Sequence, residues 1–309
     1  FLSQLKSSIV EIVCKIFLVV FLVLVYSTTI PSTIGITDSG ELAAVAFSLS
    51  IAHPTGYPLF TLLGRCVSMI PLPSVRVIFL MNIFSMVLVC GAMLFFFASL
   101  RMLLRYMYST SREGELTLEL TSCSATLILA FSTTVWSQAL TTEVYSLHIL
   151  FLSLVLYAVI KGIVTPTAAV ASRWYLLAAY VLGLSFGNHM TTVLLVPGLL
   201  FLLWKERKPF PWKMSFYAIL FATFAAGITV YLFLPLRAMQ QPPFLWGNPV
   251  TFDRFLWHLS GKQYRVWMFE GFSTMQQQLG RYVSNFNNEF LLLLVPLCLI
   301  GGFVLWKKN

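Results

Sequence analysis

Five short stretches of the chain hold residues whose types and spacing suit chemistry. In Thr37-Asp38-Ser39-Gly40-Glu41 the two acids stand three residues apart, so on a helix both carboxylates share a face. Such a pair can take a proton from a substrate hydroxyl or hold a divalent cation. The same spacing is also a capping box, with Asp38 as N-cap and Glu41 at N3 of a helix over 39–52; a cap can place one carboxylate and free the other. His53-Pro54-Thr55-Gly56-Tyr57-Pro58 contains two prolines and a glycine and reads as a rigid turn. His53 can donate there to a phosphate or be a turn histidine satisfied by backbone. Glu143 is the only acid between Glu119 and Glu206. It belongs either at a water interface or in a site facing Asp38. Gly187-Asn188-His189 interrupts an apolar run, where half-helix ends serve polar ligands or snorkel. Arg237 follows Leu234-Pro235-Leu236, as a bidentate phosphate clamp or an interfacial anchor.

The elements that position these groups follow from composition. The chain has 309 residues, 58% hydrophobic and only 10% charged. A soluble domain needs a charged skin that so few ionisable groups do not supply, so the chain reads as a polytopic membrane protein. Runs long enough or nearly long enough to span lie at 16–37, 77–100, 120–142, 144–160, 214–236 and 290–306. The run 42–64 is equally apolar, but its proline-rich turn breaks a spanning helix. The run 174–204 is too long for one span and reads as a hairpin, giving about eight transmembrane segments. The expected fold is therefore an all-α helical bundle in the membrane, with short interfacial helices in the first external loop. It forms a single membrane-embedded domain over 1–309, with external loops 37–76 and 237–289 making the active-site face.

The net charge of +9 then works as a topology signal. With 42–64 out of the membrane, most of the 20 Lys and Arg fall on one side, which the positive-inside rule makes cytoplasmic, along with the N-terminus. Asp38, Glu41, His53, Glu143, His189 and Arg237 all fall at the opposite face. Ionisable groups at membrane depth are costly and point to function, and their clustering at one face is stronger than any one of them. Five scattered cysteines without CxxC spacing give neither a disulfide framework nor a zinc site. There is no P-loop, GxGxxG, HExxH or GxSxG.

Six blocks in order resemble a known family: Asp38-Ser39-Gly40-Glu41-Leu42 with Ala52-His53-Pro54-Thr55-Gly56-Tyr57-Pro58-Leu59-Phe60; Trp136-Ser137-Gln138 with Glu143-Val144-Tyr145; Gly183 to His189; Leu234-Pro235-Leu236-Arg237; Trp246-Gly247-Asn248-Pro249; and Gly261-Lys262-Gln263-Tyr264. They resemble the membrane family of domain of unknown function 2723, which includes the transmembrane protein 260-like protein O-mannosyltransferases. Thr55 departs from the proline expected in that turn. Family members run on past position 309, so the chain resembles their N-terminal membrane portion.

The resemblance implies a glycosyltransferase of the GT-C type, inverting, with a sugar on a polyprenyl phosphate as donor and mannose as a candidate sugar. The acceptor would be a protein Ser/Thr hydroxyl or a glycan at the non-cytoplasmic face. Asp38 would be the general base, with Glu41 beside it. His53, Tyr57, Glu143, Tyr145, Asn188, His189 and Arg237 would contact substrate. The membrane would be the plasma membrane in a bacterium or the endoplasmic reticulum in a eukaryote. Neither a cofactor nor a metal is called for, although a divalent cation at the acidic pair stays open. Membrane lipid is an expected partner and nucleic acid is not. The alternative is a transporter or flippase for a lipid-linked or anionic substrate, which paired acids and a broken hairpin also suit. A non-catalytic scaffold whose polar groups only cap helices is the third reading.

Overall fold

The computed structural model describes residues 2–72, 75–108, 114–205, 213–267, 271–290 and 294–308. The first apolar run forms α1 (Leu2–Ser27), which ends well short of position 37. Pro31 has no N–H to continue the ladder and drives Ile30 out of the helical region, while the Thr28 and Thr29 hydroxyls fold back onto the Val25 and Tyr26 carbonyls. The chain then returns to the bundle as two short helices, α2 (Ser39–Ser48) and α3 (Pro58–Ser68). The 42–64 run does not span. Helix α2 stops at Ser48, not at 52, because Leu49 turns left-handed with φ 50°.

The long apolar helix α4 (Val77–Met107) follows. Next come α5 (Gly114–Ala130) and α6 (Thr133–Leu140), bent by 69° where one continuous span was expected over 120–142. Ser132 breaks the run: its backbone is extended and its hydroxyl donates back to the Leu129 carbonyl. Helices α7 (Val144–Val164) and α8 (Ala168–Phe186) each cross. A 3-10 turn, Met190–Leu194, leads into α9 (Leu195–Lys205). The stretch Met214–Ala238 is one span built from α10 (Met214–Ile228), a 3-10 turn and α11 (Phe233–Ala238). Outside it lie α12 (Phe252–Leu259) and α13 (Phe272–Glu289), and α14 (Leu294–Lys308) closes the described chain.

The protein is thus an all-α polytopic membrane bundle, with five continuous spans among the described residues and a sixth if the bent pair is one. Of the 174–204 hairpin, whose full crossing the sequence leaves open, the second half is short. Met190–Lys205 is an apolar helix of sub-spanning length, and the 290–306 run includes residues 291–293, which lie outside the described residues.

Helices α4, α7, α8 and α10 pack side by side in that order. Met81, Leu88, Phe151 and Val155 form the middle of the main apolar core, and Phe60 of α3 is buried in the same cluster. The α8–α10 contact depends on glycine. A Cβ on Gly183 would strike the Phe224 carbonyl oxygen, and one on Gly227 the Tyr180 carbonyl oxygen. Small residues that let backbones approach are the common solution where no hydrophobic drive exists between helices. Gly227→Val should therefore lower the unfolding temperature of the detergent-solubilised protein sharply, an overpacking cost of about 1–3 kcal/mol or more. Gly198→Ala, at a position with no atom within 4 Å of the added carbon, should leave it in place. Equal melting of the two variants would refute the close crossing.

Candidate active site

The site is built on the connection between α1 and α4. Asp38 occupies the N-cap position of α2, yet its side chain makes no capping hydrogen bond. Glu41, one turn along, faces away from the cap and accepts from the His53 backbone N–H at 2.9 Å and lies 3.2 Å from His53 Nδ1. The capping box is therefore not formed. Its Glu holds the proline-rich turn, and its Asp is left with a side chain 53% exposed. A carboxylate only accepts, so His53 Nδ1–H donates to Glu41 and Nε2 is left to face Tyr57 and Asp38. The Tyr57 hydroxyl is 3.1 Å from that nitrogen, and Asp38 Oδ2 is 3.8 Å from it. Burial, chiefly, and then the nearby Tyr145, Tyr264, Asp38 and Glu41 groups raise the Tyr57 phenol above its ordinary value, so it stays a donor.

Two strained backbones frame the acids. Thr37 has φ 77° and Tyr57 φ 42°. Side chains of this bulk rarely occupy that region, and such strain persists only where surroundings enforce it. At Thr37 the enforcing group is Glu143. It accepts the Thr37 hydroxyl at 2.8 Å and the Asp38 backbone N–H. At the turn, Gly56 has φ 88°, and a Cβ there would lie 2.9 Å from both His258 Nε2 and the Leu234 methyls. Only glycine fits.

Glu143 is 6% exposed at the start of α7. Burial raises its carboxyl above the ordinary carboxylate value, the Asp38 charge adds to this, and the Thr37 and Asp38 hydrogen bonds and His53 oppose it. A raised folded-state value means that ionisation subtracts stability as pH rises through it, and the loss vanishes below the ordinary range. Glu143→Gln should therefore raise the melting temperature at neutral pH, with the gain shrinking as pH falls toward 4.5. A pH-independent difference would show that the folded carboxyl titrates normally.

Gly187-Asn188-His189 reaches the same place from α8. The Gly187 carbonyl accepts from the Leu59 N–H at 3.2 Å, and Asn188 Nδ2 donates to the Val144 carbonyl at 2.9 Å. His189 stacks nearly parallel on Tyr57, with centroids 6.2 Å apart, and contacts Tyr145 at 5.0 Å. Tyr145 is itself exposed. The structure thus brings Asp38, Glu41, His53, Tyr57, Glu143, Tyr145 and His189 together, with Asn188 buried behind them.

Arg237 is placed differently. Its Nε donates to the Leu49 carbonyl at 2.5 Å, its Nη2 to Ser48 at 3.4 Å and its Nη1 to Gln240. A cation on the last carbonyls of α2 suits the helix dipole, and this use engages the guanidinium away from the acids. The Gln240–Leu245 segment stays nearby through an isolated bridge between Ile51 and Leu245. His258 packs beneath the turn, 2% exposed. Its value is pushed down to about 4 by burial first and by His53 second.

Asp38, Glu41 and His53 each offer one ligand atom, all within 4.8 Å of one another. A divalent cation accepts such a set, but only if His53 releases Glu41 or Tyr57.

Three contributors had weak signals in the sequence. Asn82, His148 and Thr191 each lie inside or beside an apolar run, and a polar side chain in such a run is the one available sign. Asn82 of α4 is fully buried and makes four hydrogen bonds, two of them to the loop before Asp38 and two to Thr142 beside Glu143.

Residues 38–212 match the profile of the protein O-mannosyl-transferase TMEM260 N-terminal domain. The chain belongs to this family. It is 31% identical over 268 residues to the protein O-mannosyl-transferase TMEM260 of Mus musculus, covering 84% of this chain and 35% of that protein. It is 24% identical over 313 residues to the tmem260 protein O-mannosyl-transferase of Dictyostelium discoideum, covering 96% and 36%. The chain thus spans about a third of the length of these relatives. No solved structure matches. The TMEM260 profile begins at Asp38, the first acid of the cluster, and takes in Glu41, His53, Tyr57, Glu143, Tyr145, Asn188 and His189 but not Arg237 or His258.

Proposed function

We propose that this chain carries the catalytic membrane domain of a protein O-mannosyltransferase of the GT-C type, inverting at the anomeric carbon and drawing on a polyprenyl-phosphate sugar. The observation that carries the reading is Asp38, an uncapped carboxylate at the mouth of a network that ties Glu41, His53 and Tyr57 together behind it. Asp38 takes the proton of an acceptor hydroxyl as the oxygen attacks the anomeric carbon. Glu41 and Glu143 offset the positive charge that develops on the sugar ring. His53 Nε2, 3.8 Å from Asp38, is the nearest group to receive the proton onward. The leaving phosphate falls to the His189 side, since Arg237 already serves the α2 carbonyls.

The cluster faces the non-cytoplasmic side, with the N-terminus in the cytoplasm, as the distribution of basic residues supports. External loops 37–76 and 237–289 together form the active-site face of one membrane domain over 1–309. The purified protein, incubated with mannosyl polyprenyl phosphate and a Ser/Thr acceptor peptide, should yield a peptide heavier by one hexose in mass spectrometry. Uptake of the donor lipid into vesicles without any hexose transfer would favour a flippase instead.

A further inference from the structure

His189 precedes the Met190–Leu194 turn and caps it: its Nδ1 accepts from the Thr191 backbone N–H at 3.3 Å. A ring nitrogen that accepts carries no proton, so the ring proton sits on Nε2. The Thr191 hydroxyl is 2.6 Å from the same Nδ1, and its O–H therefore donates to the ring. With that proton committed, Thr191 Oγ1 accepts from His148 Nε2 at 3.1 Å. His148 Nδ1 is then the bare nitrogen of that ring, and it has no partner among the described residues. One directional chain results, from His148 through Thr191 to His189. The Nε2–H of His189 is left as the ring's only donor, with no protein acceptor among the described residues. Tyr57, Tyr145 and His148 surround the ring and hold its plane. Burial keeps His189 below its ordinary value, so the ring is neutral at pH 7.

We infer that Thr191 and His148 are positioning residues that lock His189 in its Nε2–H tautomer, so that this N–H donates to a phosphate oxygen of the lipid-linked donor. The inference rests on the transferase reading for its ligand, but the tautomer lock stands on the hydrogen bonds alone. Placement favours phosphate over sugar. An inverting displacement sets the base and the leaving group on opposite faces of the anomeric carbon. Tyr57 separates His189 from the Asp38–Glu41–His53 side, where two carboxylates would repel a phosphate.

Two measurements test it on the full chain in detergent. Nitrogen-15 imidazole spectra should show His189 as one Nε2–H species in the wild type and, in Thr191→Val, where the 3.3 Å backbone N–H is the one donor left on Nδ1, a partial Nδ1–H population. In transfer assays, Thr191→Val should raise the donor KM about tenfold with kcat nearly unchanged, as expected for the loss of a hydrogen bond's orientation, and Thr191→Ser should restore it. Inhibition by polyprenyl phosphate lacking sugar should weaken in parallel. An Nδ1–H signal for wild-type His189, an unchanged KM in Thr191→Val, or a raised KM with unaltered inhibition by the bare phosphate would overturn the inference. Should the wild type transfer no sugar, the spectra still judge the lock, so its failure and that of the transferase reading are separable.

Discussion

Asp38→Asn is expected to lower hexose transfer by about a hundredfold to ten-thousandfold, the range for loss of a general base. It should leave the protein in the membrane with an unchanged melting temperature. The structure supports both halves of this expectation. Asparagine has the same shape and is a favoured N-cap, and the wild-type carboxylate makes no cap bond that could be lost. The contacts that fix position 38 run through its main chain: its carbonyl accepts from the Leu42 N–H at 2.8 Å, and its N–H donates to Glu143. The substitution therefore removes a proton acceptor and little else. Glu41→Gln differs, because that carboxylate orients His53 through two contacts and its loss disturbs the turn as well as the charge. Full transfer by Asp38→Asn would end Asp38's candidacy as base. Loss of folded protein would make it a structural cap after all.

How much of this was legible in the sequence differs from residue to residue. The spacing of Asp38 and Glu41 pointed to a shared face, but it fitted a capping box equally well. The tertiary fold decided between them by bringing His53 within reach of Glu41, twelve residues away. The turn at 53–58 was legible because proline and glycine act locally. The lengths of the spans were less so. Hydropathy sees an uncharged run but not the proline that ends α1 early or the serine that bends α5 against α6. Arg237 shows the opposite failure. A guanidinium at the membrane edge invites a phosphate, and nothing in its neighbours reveals that the α2 carbonyls, almost 190 residues earlier, engage it first. Glu143 was read as either interfacial or facing Asp38. Its burial and its bond to Thr37 place it behind Asp38, in contact with the acidic motif across a sequence separation of 106.

Asn82→Ala should be among the most damaging single changes outside the acidic cluster. The amide is fully buried in α4 and saturated. Its Nδ2 donates to the Pro31 and Thr33 carbonyls at 2.9 and 3.3 Å, and its Oδ1 accepts the Thr142 N–H and hydroxyl at 3.0 and 2.7 Å. The Thr142 N–H can only donate, which fixes the orientation of the amide. One side chain thus fastens the loop that leads into Asp38 to the connection that carries Glu143. Truncation strands the buried Thr142 N–H and hydroxyl at about 1–3 kcal/mol each, whereas the half-buried Pro31 and exposed Thr33 carbonyls can turn to water, so a net loss of about 2 kcal/mol or more is expected. Asn82→Asp keeps the acceptor for Thr142 but sets a carboxylate against two carbonyls, and should detach the first loop alone. Hydrogen–deuterium exchange reads the difference directly. In Asn82→Ala, residues 28–38 and 141–143 should exchange faster together, with transfer falling in step. In Asn82→Asp, the faster exchange should be confined to 28–38. If Asn82→Ala loosens only one of the two segments, the amide does not couple them, and the meeting of Asp38 with Glu143 must depend on the Thr37 hydroxyl instead.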